Sequence, residues 1–386
     1  MPDKILVLNA GSSSLKFSLF ECRPDAELIP TAEGRVERVG EPDAPVENHQ
    51  AALRQAVDAL TLQGHWQAGE LKAIGHRVVH GGESFAAAVQ VTDAVVESIR
   101  AAIPLAPLHN PANLQGIEAC QALWPEVAQV AVFDTAFHQT LPASAFRYAI
   151  PEAAYRDHGV RRYGFHGTSF ASVTRRVAAY LACPRQRLNL LVLHLGNGAS
   201  ACAIRGGQSI DTSMGMTPLA GLMMGSRCGD LDPGVLLFWL QEQGEPADQV
   251  SDWLNRGSGL KGIAGTNDMR DILARAAKST DARLAIEMYI HRLRHYIGAY
   301  RAQLPELHAL VFTGGIGEYA APIRAAACAG LSHLGLELDE QRNLMPGSGV
   351  REIQRMTAGV KILIVPADEE VEIARQTLEV LAPSTA

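Results

Sequence analysis

The sequence is short of several things, and each shortage excludes a class of protein. Of 386 residues only six are lysine against 28 arginines, aromatics make up 6% and charged residues 19%. So modest a charge, beside 47% hydrophobic residues, excludes a largely disordered or fibrous chain. Acidic residues outnumber basic ones, 41 to 34, for a net charge of −7. Nucleic acid is thereby excluded as the main ligand, whereas an anion in a locally positive pocket is not. The six cysteines (22, 120, 183, 202, 228 and 328) form no C-x-x-C pair and read as reduced thiols, which places the protein in the cytoplasm. No apolar run approaches a membrane span, Val235–Leu240 being typical, and Ile5–Leu8 is too short for a signal-peptide core. Low-complexity segments and long linkers are absent.

What is present is an alternation of strands and helices, the pattern of an α/β protein. Strands are expected at Ile5–Asn9, Lys16–Glu21, Ala73–Val79, Val127–Phe133, Leu190–Leu195, Ala201–Arg205, Leu310–Thr313 and Val360–Val365. Helical spacing covers Ala51–Leu62, Thr92–Ile103, a segment opened by Asn110 as cap and Pro111, another opened by Asp232 and Pro233, Ala282–Leu304 and Asp368–Leu381. The long helix presents Ile286, Ile290, Leu293, Ile297, Tyr300 and Leu304 on one face, and the last helix Val371, Ala374, Leu378 and Leu381. A strand, a small-residue turn and a returning strand occur twice, from Ile5 and from Leu190. Two copies of one unit, with a cleft between them and a phosphate-sized loop on each wall, are the architecture this predicts.

Three strand ends run into loops of one design: Asn9 to Ser14, Gly196-Asn197-Gly198 and Gly314-Gly315-Ile316-Gly317. Small residues let backbone N–H groups approach an anion, and hydroxyls add donors. Any one of them alone reads better as an ordinary turn; three together, each after a buried strand, point to phosphate. None is a Walker A loop. Gly196–Ala201 fits G-x-G-x-x-A but precedes a strand, so a dinucleotide site is not expected there. Lys16, beyond the first loop, either faces a phosphate or is an exposed strand lysine.

Arg77, between Gly75 and the Gly81-Gly82 turn, and Arg227, between Gly225 and Gly229, place two guanidiniums in small-residue loops. Such groups suit a transferring phosphoryl group, although a salt bridge accounts for either alone. Asp134 at a strand end and Glu369 at a helix start are candidate Mg²⁺ carboxylates, with a turn or cap and the helix dipole as their ordinary explanations. His166 is either a structural histidine or a donor to a phosphoryl oxygen. No H-E-x-x-H zinc motif and no G-x-S-x-G elbow occurs.

Taken together the strings resemble the acetate and propionate kinase family, within the actin-like ATPase superfamily. They are NAGSSSLKFSLF from Asn9, GHRVVHGG from Gly75, LAPLHNP from Leu105, FDTAFH from Phe133, YGFHGTS from Tyr163, HLGNGAS from His194, DTSMGMTPL from Asp211, MGSRCGDLDPG from Met224, FTGGIGE from Phe312 and DEE from Asp368. The resemblance covers Lys4 to Leu381, in family order. It implies reversible Mg²⁺-dependent transfer (Mn²⁺ being an alternative) from ATP to acetate, giving acetyl phosphate and ADP. It implies that Arg77, Asp134, His166 and Arg227 are catalytic, and that Asn9, Ser12, Ser14 and Lys16 line the phosphate path. His194, Leu195, Gly196, Asn197, Gly198, Asp268, Met269, Arg270, Gly314, Gly315, Ile316, Gly317 and Glu318 would cradle the nucleotide. Asn9 and Glu369 would hold the metal, and Val79, Leu108, Phe165 and Pro218 the acyl methyl group. The sequence departs from the family pattern at Phe170, Ala220, Tyr319 and Ala367, commonly His, Glu, Asn and Thr.

The fold expected is α/β, two ribonuclease-H-like domains with an interdomain cleft. The first would be 1–150 completed by the C-terminal helix 368–386; the second, 151–367, would bind nucleotide and form a homodimer. A carboxylate acceptor is ionised at neutral pH and needs no general base, so direct in-line transfer by positioning and charge stabilisation is the expected mechanism. A propionate- or butyrate-preferring kinase and a non-catalytic nucleotide-dependent binding protein on the same scaffold are the rival readings.

Overall fold

The structure, a computed structural model, describes residues 3–11, 13–23, 27–40, 43–66 and 69–382. They pack as two units: the described residues of Met1–Gln139, Gly167–Ser169 and Asp368–Ala386, and those of Thr140–His166 and Phe170–Ala367. Packing therefore places the first division at Gln139 where 150 was expected. It also assigns the short Gly167–Ser169 segment to the first unit.

The first unit is built on β1 (Asp3–Ala10), β2 (Ser14–Cys22), β3 (Leu28–Glu37), β4 (Leu71–Val78), β5 (Val89–Gln90) and β6 (Ala128–Phe133). Their order across the sheet is β3-β2-β1-β4-β6-β5. β1 pairs antiparallel with β2 and parallel with β4, β4 pairs parallel with β6, and the edges β3 and β5 are antiparallel to their neighbours. Leu6, Leu8 and Ala10 enter a core with Ala52, Leu53, Ala56 and Leu60 of the helix His49–Leu62 and Ala119 and Cys120 of the helix Asn110–Leu123. The alternate residues Ile5 and Val7 meet Ile373 and Ala374 of the helix Glu369–Leu381. With both faces covered, the strand must be apolar throughout, which is why it reads as a continuous run. Each fully buried side chain of this size stabilises the fold by about 1.5–3 kcal/mol. Gly75 on β4 permits this packing, since a Cβ there would lie 2.5 Å from Thr377 Oγ1 and 2.8 Å from Ile373.

The second unit repeats the sheet strand for strand. Its strands are β7 (Asn189–Leu195), β8 (Ala199–Arg205), β9 (Gln208–Thr212), β10 (Ala309–Thr313), β11 (Arg351–Glu352) and β12 (Lys361–Ile364), in the order β9-β8-β7-β10-β12-β11. The senses match as well: antiparallel from β7 to β9, parallel through β10 and β12, antiparallel at β11. The duplication seen in two strands thus extends to six, and the fold is two mixed sheets of ribonuclease-H type.

Three expectations are corrected locally. The helix Thr280–Gln303 buries Ala282, Ala285, Tyr289, Leu293, Ile297 and Tyr300, with Ile286 and Ile290 only half-buried. The helix packs against the helices Gly259–Ala264 and Met269–Arg275, and its buried face includes the small residues Ala282 and Ala285. Asn110 does not cap its helix; the cap position is His109, and Asn110 turns inward. The segment Gly314–Tyr319 is a short helix rather than a loop. Among the described residues no helix is long and apolar enough to cross a membrane, and all six cysteines are free thiols.

Candidate active site

In the first unit three parallel strands end side by side and bring Asn9, Arg77 and Asp134 together. The carboxyl ends of strands are where open α/β sheets place ligands. Arg77 meets Asp134 edge to edge, Nε to Oδ1 at 3.2 Å and Nη2 to Oδ2 at 2.5 Å. Its Nη1 donates to Asn9 Oδ1 at 3.1 Å, and Nε lies 3.9 Å from the Glu369 carboxylate. Burial works to lower the guanidinium pKa, but the charges of Asp134 and then Glu369 overcome it and hold it raised.

Glu369 opens the C-terminal helix. Burial pushes its carboxyl up to about 7, against the pull of Arg77, and the charges of Asp134 and Glu370 push the same way. Asp134 also accepts from Thr168 Oγ1 at 3.1 Å, and its carbonyl accepts from Gly167 N at 2.8 Å. A Cβ on Gly167 would sit 2.2 Å from that carbonyl oxygen, so glycine is obligatory there. Lys16 is an exposed residue paired with Asn9 across the β1–β2 hairpin, and its charge lowers the pKa of Glu369. Ser14 begins β2 and its carbonyl accepts from Gly11 N at 2.8 Å. Ser12 lies outside the described residues.

Side chains that sequence reasoning did not single out hold this cluster. Asn113 accepts from Val79 N at 2.9 Å and donates to Ala10 O at 2.7 Å, tying the end of β4 to the first loop. Asn110 accepts from His80 N at 3.1 Å and donates to His80 O at 2.9 Å. Buried His49 reaches Gly11 O through Nε2 at 2.7 Å and Gln115 Oε1 through Nδ1 at 2.9 Å. The available signal was the string LAPLHNP, which carries Asn110 and leads into Asn113.

The second unit gathers His166, His194, Gly198, Arg227 and Pro218. His166 occupies the left-handed region at φ 60°, a strained setting for a non-glycine residue. Its Nδ1 lies 2.8 Å from Ser200 Oγ, and its ring stacks on that of His194 with centroids 4.2 Å apart. A Cβ on Gly198 would be 3.4 Å from His166 Nε2 and 3.6 Å from Arg227 Nη1, so these two groups converge over the glycine. Arg227 donates to Pro218 O at 3.2 Å. It has no carboxylate partner among the described residues, and burial lowers its pKa. Its loop is held by Gly225 N donating to Asn197 O at 2.9 Å.

A cavity of about 600 Å³ lies in the same unit, lined by Gly196, Asn197, Asp268, Met269, Arg270, Gly315 and Ile316. Seven of the residues expected to cradle a nucleotide therefore share one cavity. Asn267, Leu273, Tyr319, Ala320 and Pro322 complete it. Asn267 Nδ2 donates to Asn197 Oδ1 at 2.9 Å. Asp268 caps its helix and pairs with Arg270, whose hydrogen bonds hold the Asp268 carboxyl down at about 2. His194, Leu195, Gly198, Gly314, Gly317 and Glu318 do not line the cavity. Gly314, at φ 75°, packs on the Leu195 backbone instead, where a Cβ would meet it at 2.9–3.1 Å. Of the acyl-pocket residues, Val79 is buried and Leu108 exposed in the first unit, while Phe165 is buried and Pro218 half-buried in the second.

Among the described residues no group of three or more His, Cys, Asp or Glu could by itself hold a metal ion. Mg²⁺ in phosphate chemistry needs only one or two protein carboxylates, the remaining positions going to water and phosphate oxygens. Glu369, a half-buried carboxylate destabilised by two neighbouring acids and only 3.9 Å from its nearest cation, fits that demand, with Asn9 Oδ1 on the same guanidinium.

Known proteins share this fold and much of this sequence. Residues 4–375 match the acetokinase family. Acetate kinase of Syntrophobacter fumaroxidans is 48% identical over 401 residues, covering 98% of this chain and 97% of its own. The crystal structure of Porphyromonas gingivalis acetate kinase superposes with a TM-score of 0.92 at 40% identity, covering 98% of this chain and all of that one. A propionate kinase from Francisella tularensis gives 0.90, also at 40% identity, covering 98% and 100%. The duplicated ribonuclease-H-type sheet, with its strand-end arginine and a glycine-walled cavity, is the fold of a phosphotransferase. The chain belongs to the acetokinase family, and its activity is that of a kinase whose acceptor is a carboxyl group.

Proposed function

We propose that the chain transfers the γ-phosphoryl group of ATP to acetate, reversibly and in line, giving acetyl phosphate and ADP. The observation that carries this reading is Arg227, a half-buried guanidinium with no counter-charge among the described residues, converging with His166 on the edge of the nucleotide cavity's own loop. A permanently charged group left unpaired in such a place is stabilised by an anion that arrives with substrate. Arg77 is different: Asp134 fixes its plane, so we assign Asp134 the task of orienting Arg77, and Arg77 that of meeting the acetate carboxylate and the moving phosphoryl group. His166 donates to a phosphoryl oxygen. No side chain need remove a proton, because acetate is already ionised.

Asn9 and Glu369 would hold Mg²⁺, or Mn²⁺ in its place, which when bound supplies charge neutralisation for the phosphate oxygens. Gly196–Gly198 and Gly315–Ile316 would receive the nucleotide, and Val79, Leu108, Phe165 and Pro218 the acyl methyl group. The protein would act as a homodimer through its second unit, where Leu237, Phe238 and Leu284 expose about half their surface, and in the cytoplasm, where free thiols persist.

Hydroxamate formation with ATP, Mg²⁺ and a series of short acids tests the acceptor. One methylene is worth about 10–200-fold in discrimination, so acetate should exceed propionate by at least the lower figure. Val79→Ala should narrow that gap. Equal use of both acids by the parent protein would replace acetate with a longer acid.

A further inference from the structure

Glu318 belongs to the family string FTGGIGE and was expected to touch the nucleotide, yet its side chain is engaged elsewhere. Its Oε1 accepts from Ala367 N at 2.8 Å, and the carboxylate takes a further backbone hydrogen bond from Gly314 at the start of the same short helix. Ala367 is the last residue of the second unit; the chain enters the first unit at Asp368, one residue before Glu369. The three residues before that crossing are all pinned. Val365 N donates to Phe312 O at 2.9 Å, Arg176 Nη1 donates to Pro366 O at 3.1 Å, and Glu318 holds Ala367. The helix that carries Glu318 also carries Gly315 and Ile316 of the cavity wall. Arg324 fixes its other end, donating through Nη1 to Gly317 O at 2.9 Å and Glu318 O at 2.8 Å.

We propose that Glu318 is a positioning residue, which ties the nucleotide wall to the strap Val365–Ala367 and so sets the placement of the Glu369 carboxylate. This rests on the proposed metal role of Glu369. A carboxylate suits the task because it accepts from two backbone N–H groups at once, one on each segment, and charge-assisted bonds of this kind hold geometry firmly. An aspartate would be one methylene short. Glutamine keeps one acceptor oxygen and can preserve the Ala367 bond.

The test is calorimetric binding of ADP, first in EDTA and then over a Mg²⁺ titration, with kcat measured alongside, for Glu318→Ala, Glu318→Gln and Arg176→Met. For Glu318→Ala, metal-free ADP affinity should stay within about twofold, while the Mg²⁺ concentration at half effect rises about fivefold or more and kcat falls. Glu318→Gln should recover most of both. Arg176→Met, which loosens the same strap from the other side, should shift the Mg²⁺ requirement in the same direction and keeps the question open to decision if Glu318→Ala does not fold. A loss of metal-free ADP affinity with the Mg²⁺ requirement unchanged would make Glu318 a nucleotide contact and overturn the proposal. A fall in melting temperature alone would overturn it too. Glu369→Gln separates the two readings: if it leaves the Mg²⁺ requirement unchanged, the metal role itself is wrong, whereas an effect there with none at Glu318 sinks only the positioning role.

Discussion

Arg77 on β4 and Asp134, the residue after β6, stand at the ends of neighbouring parallel strands and meet through two hydrogen bonds, while the carboxylate is 1% exposed. Arg227 has no such partner among the described residues. Two arginines that look alike in sequence are therefore electrostatically opposite: one is neutralised before substrate arrives and the other is not.

That contrast separates the two alanine variants. Arg77→Ala strands Asp134 and Glu369 beside each other, and breaking a buried pair costs about 3–5 kcal/mol, so it should lose stability as well as turnover. Arg227→Ala removes an uncompensated, half-buried charge. It should lose about 10²–10³-fold in kcat with its melting temperature held or raised. Denaturant unfolding and steady-state kinetics on both proteins check this; equal destabilisation by the two substitutions would contradict it.

His76, beside Arg77 on β4, gives a pH prediction. It is buried with Nε2 on Gln129 Oε1 at 2.8 Å, and burial lowers its pKa from 6.5 to about 4. The native state keeps it neutral, whereas the unfolded chain takes up a proton below about pH 6.5. The stabilising contribution is therefore complete above pH 6.5 and is lost as the pH falls from there towards 4, by about 3 kcal/mol at full extent. Urea midpoints at pH 7 and 5 should differ more for the parent than for His76→Gln. Parallel pH profiles would exclude His76 as the source.

Tyr319 leaves room for a nucleotide as the phosphoryl donor. It lines the rim of the 600 Å³ cavity but is 82% exposed, so it does not fill the space a purine needs. ATP and GTP should both phosphorylate acetate and pyrophosphate should not. Tyr319→Asn should move the ATP KM by no more than about threefold, the scale of one stacking contact of roughly 0.5–1 kcal/mol. Activity with pyrophosphate alone, converted to ATP use by Tyr319→Asn, would show the ring to be an obstruction.

His166 combines a strained backbone with a side chain aimed at Gly198. His166→Gly relieves the strain, worth roughly 1 kcal/mol, against the loss of a hydrogen bond of similar size to Ser200. The melting temperature should therefore change little while turnover falls at least about tenfold. A large fall in melting temperature with kcat intact would make the histidine structural.

The sequence made the reacting groups legible because their chemistry is carried by residue type and local spacing. Arginines between glycines, an acid after a buried strand and small residues after three strands need no tertiary information to be noticed. It missed the supports, whose partners are far along the chain: Asn113 reaches Ala10 across 103 positions, and nothing near either residue announces the bond. It also misread the long helix, because Ile286 and Ile290 are the more apolar choice while Ala282, Ala285 and Tyr289 are the face that fits.

What the sequence determined by itself was the α/β pattern, the duplicated strand-turn-strand unit and the family, since periodicity and motif order are properties of the chain alone. Only the tertiary structure decided which charge neutralises which. Asp134 went to Arg77 and none to Arg227, and Glu318 turned from the cavity to the strap before Glu369. Charge pairing depends on distances between strand ends and helix ends that no local sequence fixes, and burial then magnifies each choice by removing the water that would otherwise screen it.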